Sequence, residues 1–121
     1  MILYAHGARD PRWAEPFVRL RERVGAKSPD DVVELAFLEH LSPDLVTAAA
    51  CLAASGIDRI RLVPLFLGRG GHLRNDLPRQ LCAARAAAPS VIFEVTQAAG
   101  ESDAVLDALA DFALQSSADT T

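Results

Sequence analysis

The sequence is poor in cysteine and in aromatic residues. Only two cysteines, Cys51 and Cys82, occur among 121 residues, which does not support a disulfide-rich secreted fold or a cysteine-rich structural zinc site. Both lie in alanine-rich helical segments, where we expect small buried residues rather than a disulfide or a pair of metal ligands. This use of cysteine fits a reducing compartment.

Positive charge and long apolar runs are also scarce. Twelve Lys and Arg residues against sixteen Asp and Glu give a net charge of −4, which argues against a non-specific nucleic-acid binder. No apolar run is long enough to span a bilayer, and residues 1–5 lack the basic flank of a signal peptide. These features predict a cytoplasmic protein that binds neither membranes nor nucleic acids.

Half of the residues are hydrophobic, which predicts one folded domain over residues 1–115, with a frayed tail at 116–121. Short apolar runs alternate with helical patterns, which predicts a doubly wound α/β fold. Its four-stranded parallel sheet would have the order 2-1-3-4, with helices on both faces. Strands are expected at 1–5, 32–38, 60–66 and 91–96, and helices at about 10–25, 42–56, 75–88 and 102–114.

Capping signals set the expected helix starts. Asp10-Pro11 and Ser42-Pro43-Asp44 each combine an N-cap residue with a proline. The stretch 75–78, Asn-Asp-Leu-Pro, resembles a third such start, and Gly56 is expected to end the second helix. In the last helix, the apolar residues predicted to face inward are Val105, Leu106, Leu109 and Phe112.

All three histidines and one carboxylate follow predicted strands directly. His6 follows the first strand, Glu39 and His40 follow the second, and His72 follows the third. Ligands of doubly wound sheets bind outside the carboxyl ends of the strands, so we expect these residues at one edge. His6 and His72 would lie about one or two strand spacings apart, roughly 5–10 Å. His40 should point away from Glu39 if the chain there is extended.

These residue types suit the handling of a metal ion beside an anionic ligand. Two imidazoles and a carboxylate would bind a divalent metal with coordination positions left open, and the same groups accept protons. The paired glycines in front of His72 allow a tight bend or a close approach to a bound molecule. Arginines around this edge could pair with carboxylates or phosphates. The candidates for substrate binding are Arg9, Arg69, Gly70, Gly71 and Arg74.

Three stretches in this order and spacing resemble one family, the short CbiX/SirB-type sirohydrochlorin chelatases, which are class II chelatases. They are HGARDP at residues 6–11, AFLEHLSP at 36–43 and VPLFLGRGGHLRNDLP at 63–78. The resemblance covers roughly residues 2–95. Ala8 stands where the family motif usually has serine, and the entry into the last helix lacks the family's usual proline.

The resemblance implies insertion of Co²⁺ or Fe²⁺, with Ni²⁺ as a further option, into sirohydrochlorin on the routes to cobalamin or sirohaem. It assigns His6 and His72 as the catalytic, metal-contacting pair, and it matches Glu39 to a glutamate of the family. It implies no organic cofactor, and a homodimer that holds the tetrapyrrole between its subunits. Our mechanistic hypothesis is that a histidine or Glu39 accepts the pyrrole protons as the metal enters the ring.

Three alternatives remain open from the sequence. A metal or tetrapyrrole carrier would need the same ligands without turnover. A histidine phosphatase would need an arginine where Ala5 precedes His6. A small α/β domain with a decayed site would need neither His6 nor His72.

Overall fold

The computed structural model describes residues 1–68 and 71–115, and for residues 71–74 it describes the backbone alone. Its four strands form one parallel sheet in the order β2-β1-β3-β4, which confirms the predicted fold class and strand order. The strands are β1 Ile2–Ala5, β2 Glu34–Phe37, β3 Arg59–Pro64 and β4 Ile92–Val95.

In the described part of the chain, four α-helices alternate with the strands, as the sequence predicted. They are α1 Glu15–Lys27, α2 Leu45–Ala54, α3 Gly71–Ala87 and α4 Asp103–Ala113, and short 3₁₀ turns precede α1 and α4 at Pro11–Ala14 and Ala99–Glu101. The predicted tail at 116–121 lies outside the described residues.

The sheet separates two hydrophobic clusters of unequal size. The larger cluster contains Ile2, Tyr4 and Leu62 on one face, together with buried residues of α2 and α3. The smaller cluster is built on Leu3, Ala5, Leu35 and Phe37. It is covered by α1, which has no buried residue of its own.

Asp10 and Asp44 cap helical segments through their side chains. The Asp10 carboxylate accepts from the backbone N–H of Arg12. The Asp44 carboxylate accepts from the N–H of Thr47 at 2.8 Å, and this bond lowers the Asp44 pKa. Asp44 therefore caps α2, and the expected start at Ser42-Pro43 was two residues early because Pro43 lies before the cap.

The predicted start of the third helix was wrong. Helix α3 begins at Gly71, so Pro78 lies within it and His72 belongs to its first turn rather than to a loop. Asp76 is not a cap but is 7% exposed, and its carboxylate pairs with Arg79 one turn further on. A proline removes only one helical hydrogen bond, and packing of a long helix can offset that loss.

The apolar side of α4 does not face inward as predicted. No residue of this helix is buried, and Leu106, Leu109 and Phe112 are 46%, 42% and 70% exposed. The helical period was correct, but a period identifies an apolar stripe without identifying what covers it.

Both cysteines are free and exposed. The expectation that they form no disulfide is confirmed, whereas the expectation of burial was wrong. Buried Ala48, Ala49 and Leu52 define the inner side of α2, which leaves Cys51 on the outer side. Among the described residues, no helix is long and apolar enough to cross a membrane.

Candidate active site

The ends of β1 and β2 bring His6 and Glu39 together. Ala5 lies opposite Phe37 in the parallel register, and the pairing continues past both strands. The N–H of Leu38 donates to the carbonyl of Ala5 at 2.9 Å, and the N–H of Glu39 donates to the carbonyl of His6 at 3.0 Å. The backbone therefore fixes the two residues side by side at the carboxyl edge of the sheet, where ligands bind in such folds.

His6 and Glu39 are in direct side-chain contact. His6 Nε2 lies 2.9 Å from Glu39 Oε1, and the two side chains are 43% and 39% exposed. A carboxylate in this position orients the imidazole and favours one of its tautomers. The pair is accessible from solvent and can exchange protons or present a ligand atom to a metal ion.

Gly7 makes this close approach possible. Its φ of +98° lies in the left-handed region, and a Cβ built there would lie 1.8 Å from the Glu39 carbonyl oxygen. Both the conformation and the space require glycine. The sequence shows this glycine beside His6, but the backbone that it faces becomes visible only in the structure.

His40 lies on the same side as Glu39, contrary to the expectation for an extended chain. Its Nε2 is 3.8 Å from Glu39 Oε1, the oxygen that also contacts His6. The cause is a φ of +67° at His40, which ends the extended conformation of β2 and turns the chain back.

Helix α3 is hydrogen-bonded to β1 and to the residue that follows β2. The Tyr4 hydroxyl donates to Gln80 Oε1, and Gln80 Nε2 donates to the carbonyl of Leu38 at 3.1 Å. Burial is the main cause that raises the pKa of Tyr4, and the charges of Asp76 and Asp44 add to it, so Tyr4 remains a donor. No sequence pattern indicated Gln80, although a lone tyrosine in a buried strand signals that its hydroxyl needs a partner.

A solvent-accessible cavity of about 470 Å³ adjoins Glu39 and His40 at this edge. Ser42, Asp44 and Thr47 add polar groups to its walls, and Phe37, Leu38 and Leu41 add apolar ones. Such a cavity can admit water or a polar group of a larger ligand close to the Glu39 carboxylate.

Several predicted site residues lie in or beside the part of the chain that is not described. Arg69 and Gly70 lie outside the described residues, and the side chains of His72 and Arg74 are not described. Gly71 is the first residue of α3. Arg9 is exposed near Gly7. Among the described residues, no group of three or more His, Cys, Asp or Glu side chains is placed to hold a metal ion.

Comparison with known proteins identifies relatives along nearly the whole chain. The CbiX family model matches residues 1–116. The sirohydrochlorin cobaltochelatases of Saccharolobus solfataricus and Methanopyrus kandleri are 36% and 33% identical over 81 residues, 67% of this chain. The match spans 62% and 57% of those two proteins, so the chain aligns with somewhat more than half of their length.

Solved structures share the fold at similar identity. A candidate cobalamin (vitamin B12) biosynthesis CbiX protein from Marinobacter aquaeolei VT8 superposes with a TM-score of 0.81 at 31% identity, over 93% of this chain and 91% of that one. The sirohydrochlorin chelatase SirB from Bacillus subtilis subspecies spizizenii, in complex with cobalt, gives 0.77 at 27% identity. That match covers 91% of this chain and 47% of SirB, and SirB from Bacillus subtilis with Fe³⁺ gives the same score and identity.

Proposed function

Because the chain belongs to the CbiX family, we propose that it inserts Co²⁺ or Fe²⁺ into sirohydrochlorin in cobalamin or sirohaem biosynthesis. The observation that carries the proposal is the 2.9 Å contact between His6 Nε2 and Glu39 Oε1 at the ligand-binding edge of the sheet. The similarity to named cobaltochelatases, and to SirB crystallised with cobalt and with Fe³⁺, supports this choice of metals. Residues 1–115 would form the single chelatase domain, acting in the cytoplasm without an organic cofactor.

His6 and His72 would hold the incoming metal ion as a substrate. Imidazole binds Co²⁺, Fe²⁺ and Ni²⁺ well, and two protein ligands leave positions open for the pyrrole nitrogens. His6 presents its Nε2 to Glu39. The imidazole would therefore rotate, or exchange Glu39 for the metal ion, when the metal is delivered.

Glu39 would accept protons as the metal enters the macrocycle. Insertion of M²⁺ releases two pyrrole N–H protons from the ring, and these need acceptors close to the nitrogens. Glu39 lies beside His6 and is partly exposed, so it can take up a proton there and return it to solvent. A histidine of the site could accept the other.

Arginines around this edge would bind the carboxylates of the tetrapyrrole. Arg9 is exposed on the loop after β1, and Arg69 and Arg74 flank the predicted metal ligand His72 in sequence. Bidentate guanidinium–carboxylate pairs would orient the macrocycle. Gly70 and Gly71 would let the chain approach its flat face.

The protein would act as a homodimer with the tetrapyrrole between its subunits, and α4 supplies a suitable surface. The exposed apolar residues Leu106, Leu109 and Phe112 fall on one side of this helix. The acidic residues Asp103 and Asp107, four positions apart, lie on the opposite side. A two-fold pair would bury the apolar stripe and give the macrocycle a second wall.

We expect Leu109→Asp to make the protein monomeric, because a charge would be buried without a partner at the interface. Sedimentation velocity across micromolar concentrations would show the loss of the dimer. Ala104→Asp adds the same charge near the acidic side of α4 and should leave the dimer intact. A dimeric Leu109→Asp protein would show that α4 lies outside the interface.

Visible absorbance tests the proposed activity. Purified protein is mixed with excess sirohydrochlorin and Co²⁺ or Fe²⁺ and compared with a metal-only blank, with Cys82→Ser as a control away from the site. Multiple turnovers above the blank support the chelatase. Stoichiometric binding of the tetrapyrrole or metal without turnover would indicate a carrier instead of a chelatase. Absence of both binding and turnover would contradict every function proposed for this edge of the sheet.

A further inference from the structure

His40 has a backbone conformation that is uncommon for residues other than glycine. Among the described residues it is the one non-glycine residue with a positive φ, at +67°. The N–H of Leu41 donates to the carbonyl of Glu39 at 2.8 Å, which closes a three-residue turn around His40. This kind of γ-turn is uncommon because its central residue is strained. Such strain tends to be retained where the conformation serves the site.

The turn brings two imidazole rings close to the same oxygen of the Glu39 carboxylate. In an extended chain the side chains of Glu39 and His40 would lie on opposite sides. Here His40 Nε2 is 3.8 Å from Glu39 Oε1, and His6 Nε2 is 2.9 Å from the same atom. The longer distance exceeds a hydrogen bond, but it still places the His40 ring against the Glu39 carboxylate.

We propose that His40 is a positioning residue that holds the Glu39 carboxylate against His6. Glu39 is partly exposed, and the terminal torsion of a glutamate side chain is broad. Without a second partner, the carboxylate would spend more time turned toward the adjoining cavity. This inference rests on the proposed function, because the proposed function makes Glu39 a proton acceptor.

A role for His40 as a further metal ligand is not favoured by the geometry. Among the described side chains, His6, Glu39 and His40 do not form a group of three placed to hold a metal ion. The point on which both imidazoles converge is occupied by Glu39 Oε1, which leaves orientation of Glu39 as the contribution of His40.

Substitutions at position 40 can distinguish the contribution of the imidazole ring from that of the backbone turn. Asparagine and glycine both tolerate a positive φ, so His40→Asn and His40→Gly remove the ring and keep the turn. We expect each to lower kcat for metal insertion about 10-fold while KM for metal and tetrapyrrole changes less than about twofold. His40→Lys replaces the ring with a long side chain that can reach the carboxylate, and it should recover part of kcat. A purely structural role would lower thermal stability in step with kcat and would not respond to the lysine.

A second measurement does not depend on turnover. In the metal-free protein, ¹⁵N-resolved NMR of the imidazoles reports the tautomer of His6 and the hydrogen bond at its Nε2. We expect a defined tautomer with a protected Nε2 proton in the wild type, and tautomer averaging in His40→Asn. An unchanged His6 spectrum in folded His40→Asn would overturn the proposal, whatever the rates. If the His6 spectrum changes in His40→Asn but the wild type shows no turnover, the positioning role is supported and only the proposed function is refuted.

Discussion

Replacement of His6 by alanine should lower the rate of metal insertion into sirohydrochlorin at least about 100-fold. The change removes a proposed metal ligand and the partner of Glu39, whose Oε1 lies 2.9 Å from His6 Nε2. The His6 side chain is 43% exposed, so we expect little loss of folding free energy. Initial rates from absorbance, with circular dichroism of each variant, measure the two effects separately.

A double-mutant cycle with Glu39→Gln tests whether the two residues act together. Glutamine keeps the size of the side chain and removes the charge, so the single change should cost less than His6→Ala. If the pair is one functional unit, the double variant should be about as slow as His6→Ala alone, since effects of contacting groups are not additive. Additive losses would show independent roles. Full activity of His6→Ala would remove His6 from the chemistry, and His72→Ala would then be the remaining test of the metal pair.

Replacement of Gly7 by alanine should destabilise the fold by about 3 kcal/mol or more. The new methyl group would lie 1.8 Å from the Glu39 carbonyl oxygen, at a φ of +98°. The ends of β1 and β2 would have to separate, which breaks the bond from the Glu39 N–H to the His6 carbonyl. Urea denaturation gives the free energy of unfolding.

Two other glycines provide matched controls for the same substitution. Gly56 has a φ of +94° with nothing within 4 Å of its added Cβ, so Gly56→Ala should show the conformational cost alone, about 1 kcal/mol. Gly25 lies in α1 with equally open surroundings and an ordinary φ, so Gly25→Ala should stabilise by up to about 1 kcal/mol. A loss at Gly7 no larger than that at Gly56 would show that the backbone there relaxes easily.

Sequence patterns predicted the layout because parallel sheets impose simple constraints. Four apolar runs separated by helical patterns leave few ways to pack, and the order β2-β1-β3-β4 follows a common arrangement. Once the strands are known, His6 and Glu39 must lie at one edge. Their proximity could therefore be predicted from the sequence, although the distance between them could not.

The features that the sequence did not predict either have no recognisable local pattern or depend on partners distant along the chain. The start of α3 was misplaced because Asp76-Leu77-Pro78 carries the local signature of a cap, whereas Asp76 is buried and pairs with Arg79. The turn at His40 has no glycine or asparagine to reveal a positive φ. The Gln80 bonds join residues 76 and 42 positions apart, and no periodicity indicates such pairs.

The unequal covering of the two sheet faces has a consequence for how the molecule opens. Helix α1 buries none of its residues fully, while α2 and α3 cover the larger cluster. Local unfolding of α1 should therefore occur at a lower free energy than global unfolding. The bonds that join the ends of β1 and β2, and the Gln80 contacts on the opposite face, do not involve α1. We therefore expect the amide hydrogens in these bonds to exchange more slowly than those of α1.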